Sequence, residues 1–265
     1  MSSKFFSVGA RDFAPVAVTQ HVTVRNQILA GLPREKYRQL FSNLRLVRLK
    51  ENKVLCEPED DFRHAYFINS GVASLLSIIR DGDSIEVGSV GHEGVIGIPI
   101  ALREAKAPYR VVVQVSGEAL SVGADILRQE FDREGELRDR LLRYAHAFST
   151  HMSQLGVCNY FHTLDKRLCR LLLTTSDRAQ SGSFHLTHEF LSQVLGTCRT
   201  GVTMAAIRLQ RSGLIDYHRG QLRILNRAGV EANACDCYQV TKEVFARLRC
   251  PGFEAAEENG DCRAS

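Results

Sequence analysis

The chain has 265 residues, of which 44% are hydrophobic and 24% charged, and its formal net charge is +4 at pH 7. That length allows two domains with cores of their own, and that balance reads as soluble and globular rather than disordered or fibrous. Residues 1–12 hold no sustained apolar run, and the longest apolar stretch, Val95 to Leu102, is broken by Gly97 and Pro99. Neither a secretory signal nor a membrane span is expected, so the expected location is the cytoplasm, where eight scattered cysteines make no disulfide framework.

In chain order, residues 1–25 have weak periodicity and read as a flexible N-terminal arm. Asn26 to Leu44 reads as one or two helices, with Ile28, Leu29 and Leu32 first and a second apolar set after Pro33. From Leu46 to Val122 the period shortens. Strand-like runs (Leu46–Leu49, Ala65–Ile68, Ala73–Ile79, Ser84–Val90, Tyr109–Val115, Ala119–Val122) alternate with turn residues, and Asp81-Gly82 marks a hairpin. Glycine punctuation across this region fits a small antiparallel barrel or jelly roll.

Asp125 to Phe161 reads as one long helix. Leu141 and Leu155 flank Phe148 at intervals of seven, and Leu137, Tyr144, His151 and Cys158 fill the complementary positions. Such a stripe serves either as packing on the sheet or as a dimer seam through Leu137, Leu141, Tyr144, Phe148, His151 and Leu155. Leu164 to Thr175 supplies a supporting helix.

The next stretch is the most informative. Thr187 is a plausible N-cap for a short helix with Leu191, Val194 and Leu195 on one stripe, and Gly196 supplies the tight turn. A second helix follows, with Val202, Ala205, Ala206 and Leu209 as its buried face. Its other face carries Arg199, Thr200, Thr203, Met204 and Ile207, and it ends in Arg208, Arg211 and Gly213. A hairpin then turns over at His218, Arg219, Gly220 and Gln221. Helix, turn, helix and basic hairpin make a winged helix-turn-helix. A generic helical pair would give the same pattern, but five arginines against the single acid Asp216 between Arg199 and Leu225 favour a nucleic-acid partner.

Val230 to Leu248 reads as a last helix carrying Cys235-Asp236-Cys237, and residues 251–265 as a disordered acidic tail. The Cys-Asp-Cys pair lacks further ligands at suitable spacing, while Cys158, Cys169 and Cys198 read as small apolar residues on helix faces. Glu57, Glu59, Asp60 and Asp61 read as a solvated acidic turn. No metal site, no cofactor and no nucleophile–base motif is predicted, so an enzyme is not expected.

The run Thr187 to Gly196, then Cys198-Arg199-Thr200-Gly201-Val202-Thr203, Leu209 and Ser212-Gly213-Leu214-Ile215, resembles the DNA-binding region of the Crp/Fnr family of bacterial transcription regulators. Arg199 and Val202 match the head of that family's recognition helix. Thr200 stands where the family usually has Glu and Met204 where it has a second Arg, so operator preference does not carry over. The resemblance extends from about Asn26 onward. It implies an α+β fold: an antiparallel β-roll of the cyclic-nucleotide-binding kind, a long dimerisation helix and a C-terminal winged helix-turn-helix. The corresponding expected boundaries are 26–124, 125–160 and 161–229, followed by a C-terminal helix over 230–250.

The family's nucleotide site pairs a Gly-Glu carboxylate for the ribose with an Arg-Ser or Arg-Thr for the cyclic phosphate. Here Ile98, after Gly97, aligns with the carboxylate, and Val111 follows Arg110. Glu93 is either a substitute carboxylate or an exposed loop residue. The candidate effector residues are thus Glu93, Gly97, Ile98, Arg110 and Val111, and cyclic AMP is not the expected ligand. The candidate DNA-binding residues are Thr187, Arg199, Thr200, Thr203, Met204, Arg208, Arg211, His218, Arg219 and Gln221. Expected partners are double-stranded DNA, a second copy of the chain, an effector of unknown identity and, by the resemblance, RNA polymerase. The alternative is an effector-binding or protein-interaction module whose winged helix contacts protein.

Overall fold

Two long strands determine the N-terminal architecture of the computed structural model, which describes residues 16–17 and 23–249 except 80 and 105. Most of the expected arm and the whole expected tail lie outside the described residues. The described end of the arm is tied down, since Arg25 N–H donates to Asn69 Oδ1 at 2.6 Å and Asn69 Nδ2 donates to the Thr23 carbonyl at 2.9 Å.

After β1 (Val16–Ala17), α1 (Gln27–Ala30) and α2 (Arg34–Phe41) come β2 (Arg45–Leu49), β3 (Val54–Cys56), β4 (His64–Ile78), β5 (Ser84–Val90) and β6 (Val95–Ile96). The short α3 (Ile98–Ala101) and β7 (Arg110–Gly123) complete the unit. All strand pairs are antiparallel; the sheet order is β1-β2-β7-β4-β5, with β3 added to β7 and β6 to β4. The alternating runs around Gly71 and Gly117 read as separate strands in the sequence but are bends in continuous ones. Gly71 has φ of 83°, the β4–β7 register shifts around it, and a Cβ on Gly117 would collide with the Ser70 carbonyl. These bulges curl the sheet into a roll. Gly82 takes φ of 90° in the hairpin joining β4 to β5, as the Asp81-Gly82 pair predicts.

The expected long helix is two. α4 (Ala124–Asp132) ends where Glu134 and Gly135 take φ of 58° and 107°, and α5 runs Glu136–Phe161. Then come α6 (Leu164–Ala179), β8 (Ser183–His185), α7 (His188–Leu195), α8 (Arg199–Arg211), β9 (Ile215–His218) and β10 (Gln221–Ile224). The expected last helix is also broken, into α9 (Arg227–Asn233) and α10 (Cys237–Ala246).

Two large apolar cores result, beside a small cluster of Cys158, Cys235 and Cys237. One fills the roll and includes α1, the inner face of α5 and Phe245 of α10. The other joins α6 to α9 and the wing, and takes in Leu76 and Val112 from the roll. The C-terminal unit therefore packs directly on the sheet. A polar network also crosses this contact. Gln114 Nε2 donates to Thr175 Oγ1 at 2.8 Å, and Ser74 Oγ bridges Gln114 and the buried Glu86.

Candidate nucleic-acid interface

Thr187 caps α7 as its residue type and position predict, its hydroxyl accepting from Phe190 N–H at 3.1 Å. Gly196 ends α7 with φ of 56°, and a Cβ there would sit 2.8 Å from Ile85 of β5. One glycine thus serves both the left-handed turn and the close approach of the helix pair to the roll. Cys198 caps α8, which buries Val202, Ala205, Ala206 and Leu209 against α6 and α7. The two alanines permit the close crossing.

The opposite face of α8 is open. Arg199, Thr200, Met204 and Arg211 are exposed, Met204 by 50%, and no ion pair involves Arg199 or Arg211 among the described residues. The wing projects beside it as a three-stranded sheet ordered β8-β10-β9, of which β8 has no counterpart in the expected elements. Its tip is a two-residue turn in which Arg219 and Gly220 take φ of 49° and 82°, with His218, Arg219 and Gln221 exposed. Tyr217 braces the wing on the α7 entry by donating to the Leu186 carbonyl at 2.5 Å.

Two of the expected DNA-binding residues have partners within the subunit. Arg208 is already held by Asp165 of α6 through a two-point contact, Nε to Oδ2 at 2.7 Å and Nη2 to Oδ1 at 2.6 Å. Its planar fork ties α8 to the supporting helix. The half-buried Thr203 donates to the Arg199 carbonyl and lies 3.0 Å from His188 Nδ1, so its hydroxyl also has local partners. Burial and the Arg199 charge lower the His188 pKa from its ordinary value.

The expected effector residues are all engaged. Ile98 and Val111 are buried in the roll core, where a ribose carboxylate and a phosphate contact would have been needed. Arg110 pairs with Glu57 at 2.8 Å, Asp60 Oδ2 accepts from Glu57 N–H at 3.0 Å, and Asp61 binds Lys106 at 3.0 Å. Gly97 takes φ of 94° to start α3. Glu93 is neither exposed nor a free ligand. It is buried, accepts from Gly91 N–H at 3.1 Å and pairs with Arg178 of α6 at 2.7 Å. Arg178 also donates to Ser89 Oγ, and its guanidinium lies 5.2 Å from the centre of the Phe245 ring. Burial raises the Glu86 pKa against the lowering influence of Arg170 and Arg178. The alignment of residues 170, 174 and 178 at intervals of four is the signal that could have revealed this polar row beside the leucines of α6.

The expected dimer seam is also corrected. Leu137, Leu141, Tyr144, Phe148, His151 and Leu155 are all buried within the subunit. Phe148 packs on Gly88 of β5, Tyr144 stacks on Phe148 at 5.7 Å, and His151 meets Phe245 edge-on at 5.6 Å. The more apolar stripe of α5 is thus taken by its own core. Burial, with Arg178 and Arg170 nearby, holds His151 well below the ordinary imidazole range. The exposed stripe of α5 is a different one: Leu142, Ser149 and Gly156 recur at seven, as do His146, Ser153 and Tyr160.

The cyclic nucleotide-binding domain model matches residues 46–134 and the Crp-like helix-turn-helix domain model residues 166–232, together more than half of the chain. The chain belongs to the Crp/Fnr family. It is a family of DNA-binding transcription regulators and not of enzymes. Solved structures share the fold. FixK2 of Bradyrhizobium japonicum superposes with a TM-score of 0.62 at 14% identity, covering 72% of this chain and 98% of that one. A CRP-family transcriptional regulator of Thermus thermophilus gives 0.59 at 19% identity, covering 71% and 95%. The c-di-GMP responsive global regulator of Xanthomonas campestris gives 0.56 at 14% identity, covering 72% and 99%. No curated protein matches the chain. No helix among the described residues is long and apolar enough to cross a membrane.

Proposed function

We propose that this Crp/Fnr-family chain works in the cytoplasm as a homodimer that reads an inverted repeat in double-stranded DNA. The observation that carries the reading is the open face of α8, where the unpaired Arg199 heads the helix and Arg211 and the wing's Arg219 flank it. Arg199 contacts a base edge, with guanine O6 and N7 as the partners its fork fits. Thr200 and Met204 reach neighbouring bases, while Arg211, His218, Arg219 and Gln221 meet phosphates and set register.

The dimer forms through the exposed stripe of α5. It carries the small Ser149, Ser153 and Gly156, with open space where a Cβ on Gly156 would point, beside the exposed Leu142, Val157 and Tyr160, the last 82% exposed. Small residues along such a seam let two helices approach closely.

We assign sensing and output to residues 26–124 and 161–229, joined by the helix over 125–160. The roll does not take cyclic AMP, because Ile98 and Val111 occupy the positions of its ribose and phosphate ligands. The buried Glu93–Arg178 pair is the route by which a change in the roll reaches α6. An effector that favours one arrangement of this contact shifts the population of binding-competent dimers. RNA polymerase is the further partner in this reading.

Salt dependence tests the DNA reading. With several phosphates neutralised per dimer, the logarithm of affinity should fall steeply and linearly with the logarithm of salt concentration. A flat dependence on any duplex would turn the reading towards a protein partner.

A further inference from the structure

The Cys235-Asp236-Cys237 run lacks partners nearby in the sequence, and the fold supplies them. Cys158 lies in the last turns of α5, and His162 follows as that helix's C-cap, four residues on and on the same face. Cys235 lies between α9 and α10, and Cys237 is the first residue of α10. The break in the expected C-terminal helix is what turns both thiols towards α5. Cys158 Sγ lies 3.5 Å from Cys235 Sγ, and Cys237 Sγ lies 3.4 Å from His162 Nδ1. All four ligand atoms fall within 4.8 Å of one another.

We infer that Cys158, His162, Cys235 and Cys237 form a tetrahedral site for one zinc ion, clamping the C-terminal helices to the joint between α5 and α6. Zinc holds thiolate sulfur at about 2.3 Å and imidazole nitrogen at about 2.0–2.1 Å, so the edges of its tetrahedron are roughly 3.4–3.8 Å. The Cys158–Cys235 and Cys237–His162 separations match such edges, and the 4.8 Å bound on the rest leaves only a small closing movement of side chains around one ion. An iron–sulfur cluster, with several irons between its thiolates, spreads the ligands further apart. Three thiolates and an imidazole suit zinc better than hard cations, which take oxygen.

The surroundings also fit. The three thiols are buried and His162 is half-buried, so the site is closed as structural zinc sites are. His162 Nε2 faces Asp236 Oδ1 at 3.7 Å, leaving Nδ1 for the metal in the carboxylate–histidine–metal arrangement. Gln154 Nε2 donates to Cys237 Sγ at 3.1 Å, an N–H···S bond of the kind that stabilises a bound thiolate. Arg170, buried on the adjoining α6, brings positive charge towards Cys158 and offsets the excess negative charge of three thiolates on one divalent ion. Thr163 follows His162 and stands at the N-cap position of α6, so the ion would sit at the point where the DNA-binding unit leaves the long helix.

The test uses the full chain, purified under reducing conditions. Elemental analysis should find one zinc per chain, and cobalt(II) exchanged into the site should show the intense visible bands of a tetrahedral thiolate complex. Asp236→Asn keeps every ligand and should weaken zinc about 10- to 100-fold in competition with a chromophoric chelator. Cys158→Ser should lose the tetrahedral cobalt spectrum, while Cys198→Ser, outside the cluster, should keep it. If Cys158→Ser fails to fold, the unsubstituted chain's cobalt spectrum and the Asp236→Asn shift decide. The inference is overturned by octahedral cobalt bands, by no zinc uptake at micromolar metal, by iron with inorganic sulfide, or by a Cys158–Cys235 disulfide in the reduced preparation.

Discussion

Replacing Arg178 with methionine should destabilise the whole chain, because this one side chain compensates two buried carboxylates. Arg178 and Glu93 have side chains only 6% exposed and are joined at 2.7 Å, and Glu86, 2% exposed, also feels the Arg178 charge. Arg178→Met leaves Glu93 with the Gly91 N–H as its remaining bond and strips Glu86 of one of two cationic neighbours. Breaking a buried pair from one side costs about 3–5 kcal/mol. Glu93→Gln is milder, about 1–3 kcal/mol, because Arg178 keeps Ser89, Glu86 and the Phe245 ring. The two losses share one interaction, so the double variant should fall short of their sum by at least about 1 kcal/mol.

The cost should also depend on pH. A buried glutamate with a raised pKa takes up a proton in the folded state as pH falls, which relieves its desolvation. The Glu86 contribution is therefore favourable at low pH and lost as pH rises through its raised value. The Arg178→Met penalty should shrink on acidification. Urea unfolding of the four proteins at two pH values reads all of this. Additive single losses, or a penalty that grows on acidification, would refute the assignment of this pair.

Three further outcomes follow from the packing. Val157→Glu on the exposed stripe of α5 should give a stable monomer by light scattering, with stability within about 0.5 kcal/mol, whereas Phe148→Glu should unfold the subunit; a dimeric Val157→Glu would reject the seam. His151 has a depressed pKa, so its unfolded form binds more protons below about pH 6.5 and stability should fall there by up to about 1.4 kcal/mol per pH unit. His151→Gln should flatten that slope in thermal melts, and an unchanged slope would contradict the burial argument. Titration calorimetry with cyclic AMP and cyclic GMP should show no binding, and micromolar affinity would mean that the apolar filling around Ile98 and Val111 rearranges.

Local signals in the sequence were enough for the parts built from local rules. The N-cap at Thr187, the left-handed turn at Gly196 and the buried face through Val202, Ala205, Ala206 and Leu209 all follow from residue type and spacing. Long-range partnership was not legible. Leu141, Phe148 and Leu155 make the most apolar stripe on α5, but a period cannot say whether the surface that covers it belongs to the same chain. Glu93 and Arg178 are 85 positions apart, and only the packing of α6 on the roll shows them as a pair. The Cys-Asp-Cys run looked incomplete for the same reason, its partners being supplied by α5 from far along the chain. Gly71 and Gly117 misled in the other direction, because a bend in a strand and a turn between strands interrupt the alternation alike.

The central claim is that Arg199 reads a base while the wing only holds the backbone. Binding should be measured for Arg199→Ala and Arg219→Ala against the preferred inverted repeat and a set of its single-base variants, at two salt concentrations. Arg199→Ala should cost roughly 1–3 kcal/mol per half-site and erase the preference at one base pair, symmetrically in both half-sites. Arg219→Ala should weaken every duplex about equally and reduce the salt slope. If Arg199→Ala lowers affinity uniformly and leaves every base preference intact, α8 is not the element that reads the sequence.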